Sequence, residues 1–404
     1  MRAKEVRHWA TAAALTILLA LLLPGVARAQ NAAPVFESSA SYAYGQAMEF
    51  KLRAAQLDAP VRSVTLFFRP RNSTNIYTVA VPFTPGDPLE VAHAVDLTQV
   101  QLAPYTLVTY WWRLETEAGA LLAPERTVAY EDDQFNWQKM ERDGVIAHWT
   151  GGGPDFGQLI LDVTAEALLR LTALIPLSEL EPFDVYVYPS SADLRAALRL
   201  TGLEQSGGPH PELGVVLVTA VNAQTAAADL RQSVPYAVAH LLLYRATGAN
   251  YERLPRWLAE GLATTVQAAP NPRYASLLET AVATQTTIPF AQLCAAFPQT
   301  EERALLAYAQ SAALIDTLRA RSGDGTLAEL VRAYAAGADC QAGVRQVLGM
   351  SLEELDQAWL AGLQPRGPLA QFWRQNGLWL LLLLAGFGLT GLLLWQPLRG
   401  NRKK

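Results

Sequence analysis

The stretch that organises the chain runs from Ser233 to Gln267, SVPYAVAHLLLYRATGANYERLPRWLAEGLATTVQ. Apolar residues fall on nearly every side of its first half, which predicts a buried helix. Ser233-Val234-Pro235 reads as its start, with proline in the first turn where a missing N–H costs nothing. Gly248 reads as its stop. Leu254-Pro255 then opens a second helix that is apolar through its middle. Two ionisable side chains interrupt these apolar faces, His240 in the first helix and Glu260 in the second. A lone histidine in such a helix can be an ordinary core residue. A buried carboxylate must be paired, hydrogen-bonded or neutralised, and Tyr244, Arg245, Arg256 and His240 are its candidate partners.

Elsewhere the period changes. From about residue 34 to 130, short runs alternate apolar and polar: Met48–Leu52, Val64–Phe68, Tyr77–Val81 and Thr109–Leu114. Pro70–Asn75, Pro85–Pro88 and Glu117–Gly119 separate them as turn clusters. Six or seven strands in about 100 residues resemble an immunoglobulin-like or fibronectin type III-like β-sandwich, in fold type only. Tyr130–Trp137, an acidic turn with spaced aromatics, marks the way out of it. Strands are then expected at Val145–Trp149, Phe183–Tyr188 and Gly214–Val221, with helices at Phe156–Ile175 and Ser191–Leu200 between them. After Gln267 the pattern is helical: Tyr274–Ala283, Phe290–Ala296, Glu302–Ser322, Gly325–Ala336, Cys340–Leu348 and Leu352–Leu363.

The two ends carry membrane signals. Arg2, Lys4 and Arg7 precede an apolar run, Ala10–Leu23, and Ala27-Arg28-Ala29 forms a small-residue cleavage site, so residues 1–29 read as a secretory leader. Gly377–Trp395 is 19 residues without a charge. At about 1.5 Å per residue it matches a hydrocarbon core of about 30 Å. Trp373, Trp379 and Trp395 sit where interfacial aromatics belong, and Arg399, Arg402, Lys403 and Lys404 follow, placing the tail in the cytoplasm. With 51% hydrophobic residues, a net charge of −5 and no basic block between the ends, nucleic acid is not an expected partner. Cys294 and Cys340 are the two cysteines, and a disulfide between them is open in an oxidising compartment. They lack metal-ligand spacing.

The central stretch resembles the core of the peptidase MA-like zinc metallopeptidases of the gluzincin type. That family carries H-E-x-x-H on the first helix and a glutamate in a W-L-x-E-G-x-A context on the second. Two histidines one turn apart ligate zinc, the intervening glutamate is the general base, and the second-helix glutamate is the third ligand. Here the second helix matches, Trp257-Leu258-Ala259-Glu260-Gly261-Leu262-Ala263. The first reads His240-Leu241-Leu242-Leu243-Tyr244. Leu241 thus stands where the base belongs and cannot take a proton, a function worth about 100- to 10,000-fold in rate. Tyr244 stands where a ligand belongs, and a phenol ligates only as phenolate. His240 and Glu260 are the residual ligands; His93, His148 and His210 lie away from this spacing. The resemblance also implies that Gly214–Val218 is the edge strand beside the cleft, and it suggests Tyr308, in Tyr308-Ala309-Gln310-Ser311, as an oxyanion-stabilising tyrosine.

The expected molecule is multidomain: leader 1–29, β-sandwich 30–133, α+β gluzincin-like peptidase domain with a helical C-terminal lobe 134–365, transmembrane helix 373–396 and a basic cytoplasmic tail 397–404. It is expected on the extracytoplasmic side of a cell membrane, without hydrolytic activity or bound zinc, its cleft open to a peptide or partner protein. Two alternatives remain: a working zinc peptidase with an irregular site, and a structural surface protein whose cleft is packed shut.

Overall fold

The computed structural model describes residues 33–363 except 72, 176, 178, 200–208, 221–225 and 269–270, together with positions 376–377, 379–380 and 383. The expected leader, the basic tail and nearly all of the expected membrane span lie outside the described residues. Among the described residues, no helix is long and apolar enough to cross a membrane. The chain divides into two compact units, one ending at Glu131 and one beginning at Asp132, with Ala103–Tyr105 belonging to the second.

The first unit is antiparallel throughout. One sheet runs β1 (Val35–Ala43), β2 (Ala47–Ala55), β5 (Leu89–Asp96). The other runs β4 (Tyr77–Val81), β3 (Val61–Pro70), β6 (Thr106–Thr116), β7 (Gly119–Leu122), with β8 (Arg126–Tyr130) also on β6. Strict alternation of buried residues with half-buried or exposed ones along β2 and β6 gives each sheet one apolar face. The faces meet where Phe50 packs on Phe68 and Tyr110, at ring separations of 5.4 and 5.0 Å. This is a β-sandwich, and the four apolar runs read from the sequence all fall inside its strands.

The second unit opens with a mixed sheet in the order β12-β11-β10-β9. Strands β10 (Val145–Trp149), β11 (Phe183–Tyr188) and β12 (Val216–Thr219) are parallel neighbours. Parallel pairs need crossovers, and helices α1 (Pro154–Leu171) and α2 (Ser191–Arg199) lie in them. Strand β9 (Gln138–Arg142) is antiparallel to β10. The hairpin closes through Asp143-Gly144, both at positive φ (52° and 79°), as a two-residue primed turn demands.

Alternate residues Val145, Ala147, Val185, Val187, Val216 and Val218 share one core with α1 and α3 (Ala226–Thr247). On the other face of the strands, Tyr186 and Tyr188 pack against Tyr105, Phe135 and Trp137. Buried there, Asp132 accepts from the Tyr188 hydroxyl at 2.9 Å and from the Gln134 N–H at 3.0 Å.

Helix α3 is buried on nearly all sides, from Val234 to Leu243 with Tyr236 alone half-buried. It starts earlier than the sequence suggests. Ser233 is no cap: its hydroxyl donates back to Asp229 O at 2.8 Å, and Pro235 lies inside the helix. Pro235 cannot donate to Arg231 O, four residues back, and that carbonyl accepts the N–H of Ala268 instead, at 3.2 Å. Gly248 does end the helix and leads, at φ 54°, into a 3-10 turn, Gly248–Arg253. The rest is helical: α4 (Arg256–Thr265), α5 (Arg273–Thr284), α6 (Glu301–Ser322), α7 (Asp324–Ala335), α8 (Cys340–Leu348) and α9 (Leu352–Leu363). The expected helix Phe290–Ala296 is only a 3-10 turn, Phe290–Leu293.

Candidate functional site

His240 and Glu260 come together from adjacent helices. His240 lies mid-way along α3 and Glu260 lies on α4, and their side chains are 1% and 0% exposed. The imidazole Nε2 is 3.5 Å from Glu260 Oε2, close enough for an ion pair but not aligned as a hydrogen bond. The opposite ring nitrogen, Nδ1, is bonded to the Tyr251 hydroxyl at 2.8 Å. Tyr251 comes from the 3-10 turn between α3 and α4, so the connection itself supplies the partner.

Besides His240, two side chains engage Glu260 directly. The Tyr236 hydroxyl, one turn before His240 on α3, donates to Oε2 at 2.6 Å. Arg256, one turn before Glu260 on α4, brings a guanidinium nitrogen to 3.0 Å from Oε1. Tyr308 on α6 lies beside this pair, close enough for the Glu260 charge to act on its phenol. Burial alone would raise the Glu260 carboxyl; His240, Arg256 and Tyr236 together hold it below its ordinary value. Burial, and then the Glu260 charge, push the Tyr236, Tyr251 and Tyr308 phenols upward. Burial with Tyr308 and Glu260 nearby pushes Tyr274 up to about 12. These four phenols are therefore held in their neutral form.

The motif after Glu260 has a packing reason. Gly261 lies against α6 so closely that a Cβ there would stand 2.8 Å from Ser311 O and 2.7 Å from the Ile315 side chain. Gln310 pins α6 in place, accepting from Ile288 N at 2.8 Å and donating to Ile288 O at 3.0 Å. The Tyr308-Ala309-Gln310-Ser311 segment thus carries one residue beside the pair and two that fix its distance. The start of α4 is tied by Arg256 N–H donating to Cys294 O at 2.8 Å, and Cys294 is bonded to Cys340 with Cα atoms 6.0 Å apart.

Other sequence candidates lie elsewhere. Tyr244 packs its ring on Tyr251, with centroids 5.4 Å apart, and makes no bond to Glu260. Arg245 turns away to the carbonyls of Glu181 and Pro182. Leu241 is 1% exposed within the apolar core. His148 pairs with Asp184 at 2.6 Å on the sheet, and His210 with Glu212 at 2.9 Å. Tyr236 and Tyr251 were not singled out from the sequence. Tyr236 carried a signal, since it lies four residues before His240 on the same helix face. Tyr251 carried none, because its position depends on the turn.

A sequence model of the Peptidase MA superfamily matches residues 163–364, half of the chain. No curated protein sequence gives a match. Among solved structures, an M1 zinc metallopeptidase from Deinococcus radiodurans is 13% identical, spans 82% of this chain and 95% of its own, and has a TM-score of 0.36. Yeast LTA4 hydrolase in complex with bestatin is 12% identical, spans 82% and 63%, and has a TM-score of 0.32. Overlaps this loose leave the assignment with the sequence model. The chain belongs to the Peptidase MA superfamily.

Zinc is the metal the resemblance implies here. Among the described residues, no group of three or more His, Cys, Asp or Glu is placed to hold a metal ion. His240 and Glu260 are two donors where a catalytic zinc takes three protein ligands. A guanidinium nitrogen lies 3.0 Å from the carboxylate, while His240 Nε2 and Glu260 Oε1 have no hydrogen-bond partner. Among the described residues the donor set is thus one protein ligand short of what a catalytic zinc takes.

Proposed function

We propose that this is a peptidase-fold protein that does not hydrolyse peptides and instead binds an extended peptide or protein segment, held on the outer face of a membrane by its C-terminal apolar segment. One observation supports the loss of catalysis: the Glu260 carboxylate is already engaged within the chain, by the Tyr236 hydroxyl at Oε2 and by the Arg256 guanidinium beside Oε1. Leu241 leaves no base beside it. Binding is supported by β12, which stands at the end of the sheet order and packs on α3. Among the described strands it pairs only with β11, and a strand edge offers main-chain donors and acceptors to an added strand. The anchor rests on the uncharged run Gly377–Trp395 and the basic residues after it.

The full chain, purified in detergent, tests this. Zinc content well below one per chain and no cleavage of a mixed peptide substrate are expected, together with slowed hydrogen exchange at Val216–Thr219 when an array of short peptides is added. One tightly held zinc with peptide cleavage would establish a working peptidase. No protection with any peptide would leave a structural surface protein. Deleting residues 377–404 should release the chain from membranes; persistence in the pellet after a carbonate wash would refute the anchor.

A further inference from the structure

We infer that Arg256 is the resident cation of this site: its guanidinium supplies, from within the chain, the positive charge that the His240–Glu260 pair would otherwise draw from a metal ion. The inference rests on the reading of a site without zinc. An ionised carboxylate with no exposed surface needs a counter-charge beside it. Arg256 meets this need by position, lying one turn before Glu260 with its nitrogen 3.0 Å from Oε1. That contact lacks hydrogen-bond geometry, so charge and not direction holds it. A guanidinium keeps its charge at any physiological pH. Its backbone is fixed as well, through the bond from Arg256 N–H to Cys294 O. His240, Glu260 and Arg256 therefore form a row of three, closed at its imidazole end by Tyr251.

The departures at Leu241 and Tyr244 are consequently not the whole obstacle to zinc. Restoring a second imidazole with Tyr244→His adds a donor on the His240 face of α3 but leaves the guanidinium against the carboxylate. The experiment titrates zinc ion alone into the full chain in detergent, by calorimetry, using Tyr244→His, Tyr244→His/Arg256→Met and Tyr244→His/Arg256→Lys. Removing a unit charge from the site should tighten zinc binding by at least about tenfold in the methionine double variant relative to Tyr244→His. The lysine double variant, which keeps the charge, should bind zinc as Tyr244→His does. Equal zinc affinity for Tyr244→His and the methionine variant would overturn the inference, as would tight binding by the lysine variant. If the methionine variant melts too low to titrate, Arg256→Gln in the same background replaces it with the same expectation. One zinc per chain in the unmodified protein would instead defeat the reading on which the inference rests.

Discussion

The Tyr236 hydroxyl on one helix donates at 2.6 Å to the Glu260 carboxylate on the next. Tyr236 is one turn from His240, so a single face of α3 presents both the phenol and the imidazole to Glu260. Tyr236→Phe removes one donor from a fully buried carboxylate. Leaving a buried charged group short of a bond costs about 1–3 kcal/mol. Urea unfolding of the full chain should show that loss; a midpoint equal to wild type would mean that water or another group takes over.

Much of this was legible in the chain. Strands Tyr77–Val81, Val145–Trp149 and Phe183–Tyr188 and helices Cys340–Leu348 and Leu352–Leu363 fall where hydrophobic period and turn residues put them. Strand β9 was not legible from period, because Gln138–Arg142 has a single apolar residue; its signal was the Asp143-Gly144 turn. The start of α3 was misread because Pro235 usually opens a helix, whereas here Ala268 satisfies the carbonyl it orphans. The pairing of His240 with Glu260 followed from the motif. Its completion by Tyr251 did not, since sequence spacing says little about where a 3-10 turn aims a side chain.

Gly261→Ala tests the closeness of α4 and α6. The added Cβ would meet the Ser311 carbonyl, which is backbone and cannot swing aside. Overpacking of this kind costs about 1–3 kcal/mol. A thermal scan should show a lower midpoint with unchanged helix content by circular dichroism. An unshifted midpoint would mean that the two helices are not held at this distance.

The Cys294–Cys340 bond joins points 46 residues apart. Cross-linking over that interval contributes about 3–4 kcal/mol in the chain-entropy model. Treatment with a phosphine reductant should lower the thermal midpoint, and Cys294→Ser/Cys340→Ser should match the reduced protein. Because Cys294 O accepts from Arg256 N–H, hydrogen exchange should accelerate first at the start of α4. Alkylation of both thiols in native protein without reductant would contradict the bond.

Asp132 sets an opposite pH trend from most carboxylates. Burial pushes its carboxyl above the ordinary value, and bonds from Gln134 and Tyr188 only partly offset this. The folded state then holds a proton at pH values where the unfolded chain has released it. This group's contribution is full below the unfolded value, about 3.9, and fades as pH rises through the folded one. Acidifying from neutrality should therefore raise the midpoint of wild type relative to Asp132→Asn, in which the group does not titrate. A constant difference between the two proteins across that range would refute the shift.

Leu241 occupies the position where the family's general base belongs, and the structure makes its replacement costly. The side chain is 1% exposed and packed within the apolar core of the second unit. Leu241→Glu would put a carboxylate into that core, with Arg256 already engaged by Glu260. A large-to-polar change in a packed core loses apolar burial, and an unpaired charge adds desolvation; together these cost about 3–5 kcal/mol. The expected outcome is a sharp fall in stability at neutral pH, partial recovery in mild acid where the new carboxyl is neutral, and no peptide cleavage. The same change in the Tyr244→His/Arg256→Met background should cost less when zinc is present, since the ion offsets both carboxylates. Denaturant titrations of both variants, with and without zinc, measure this. Equal destabilisation in the two backgrounds would mean that position 241 does not face the site.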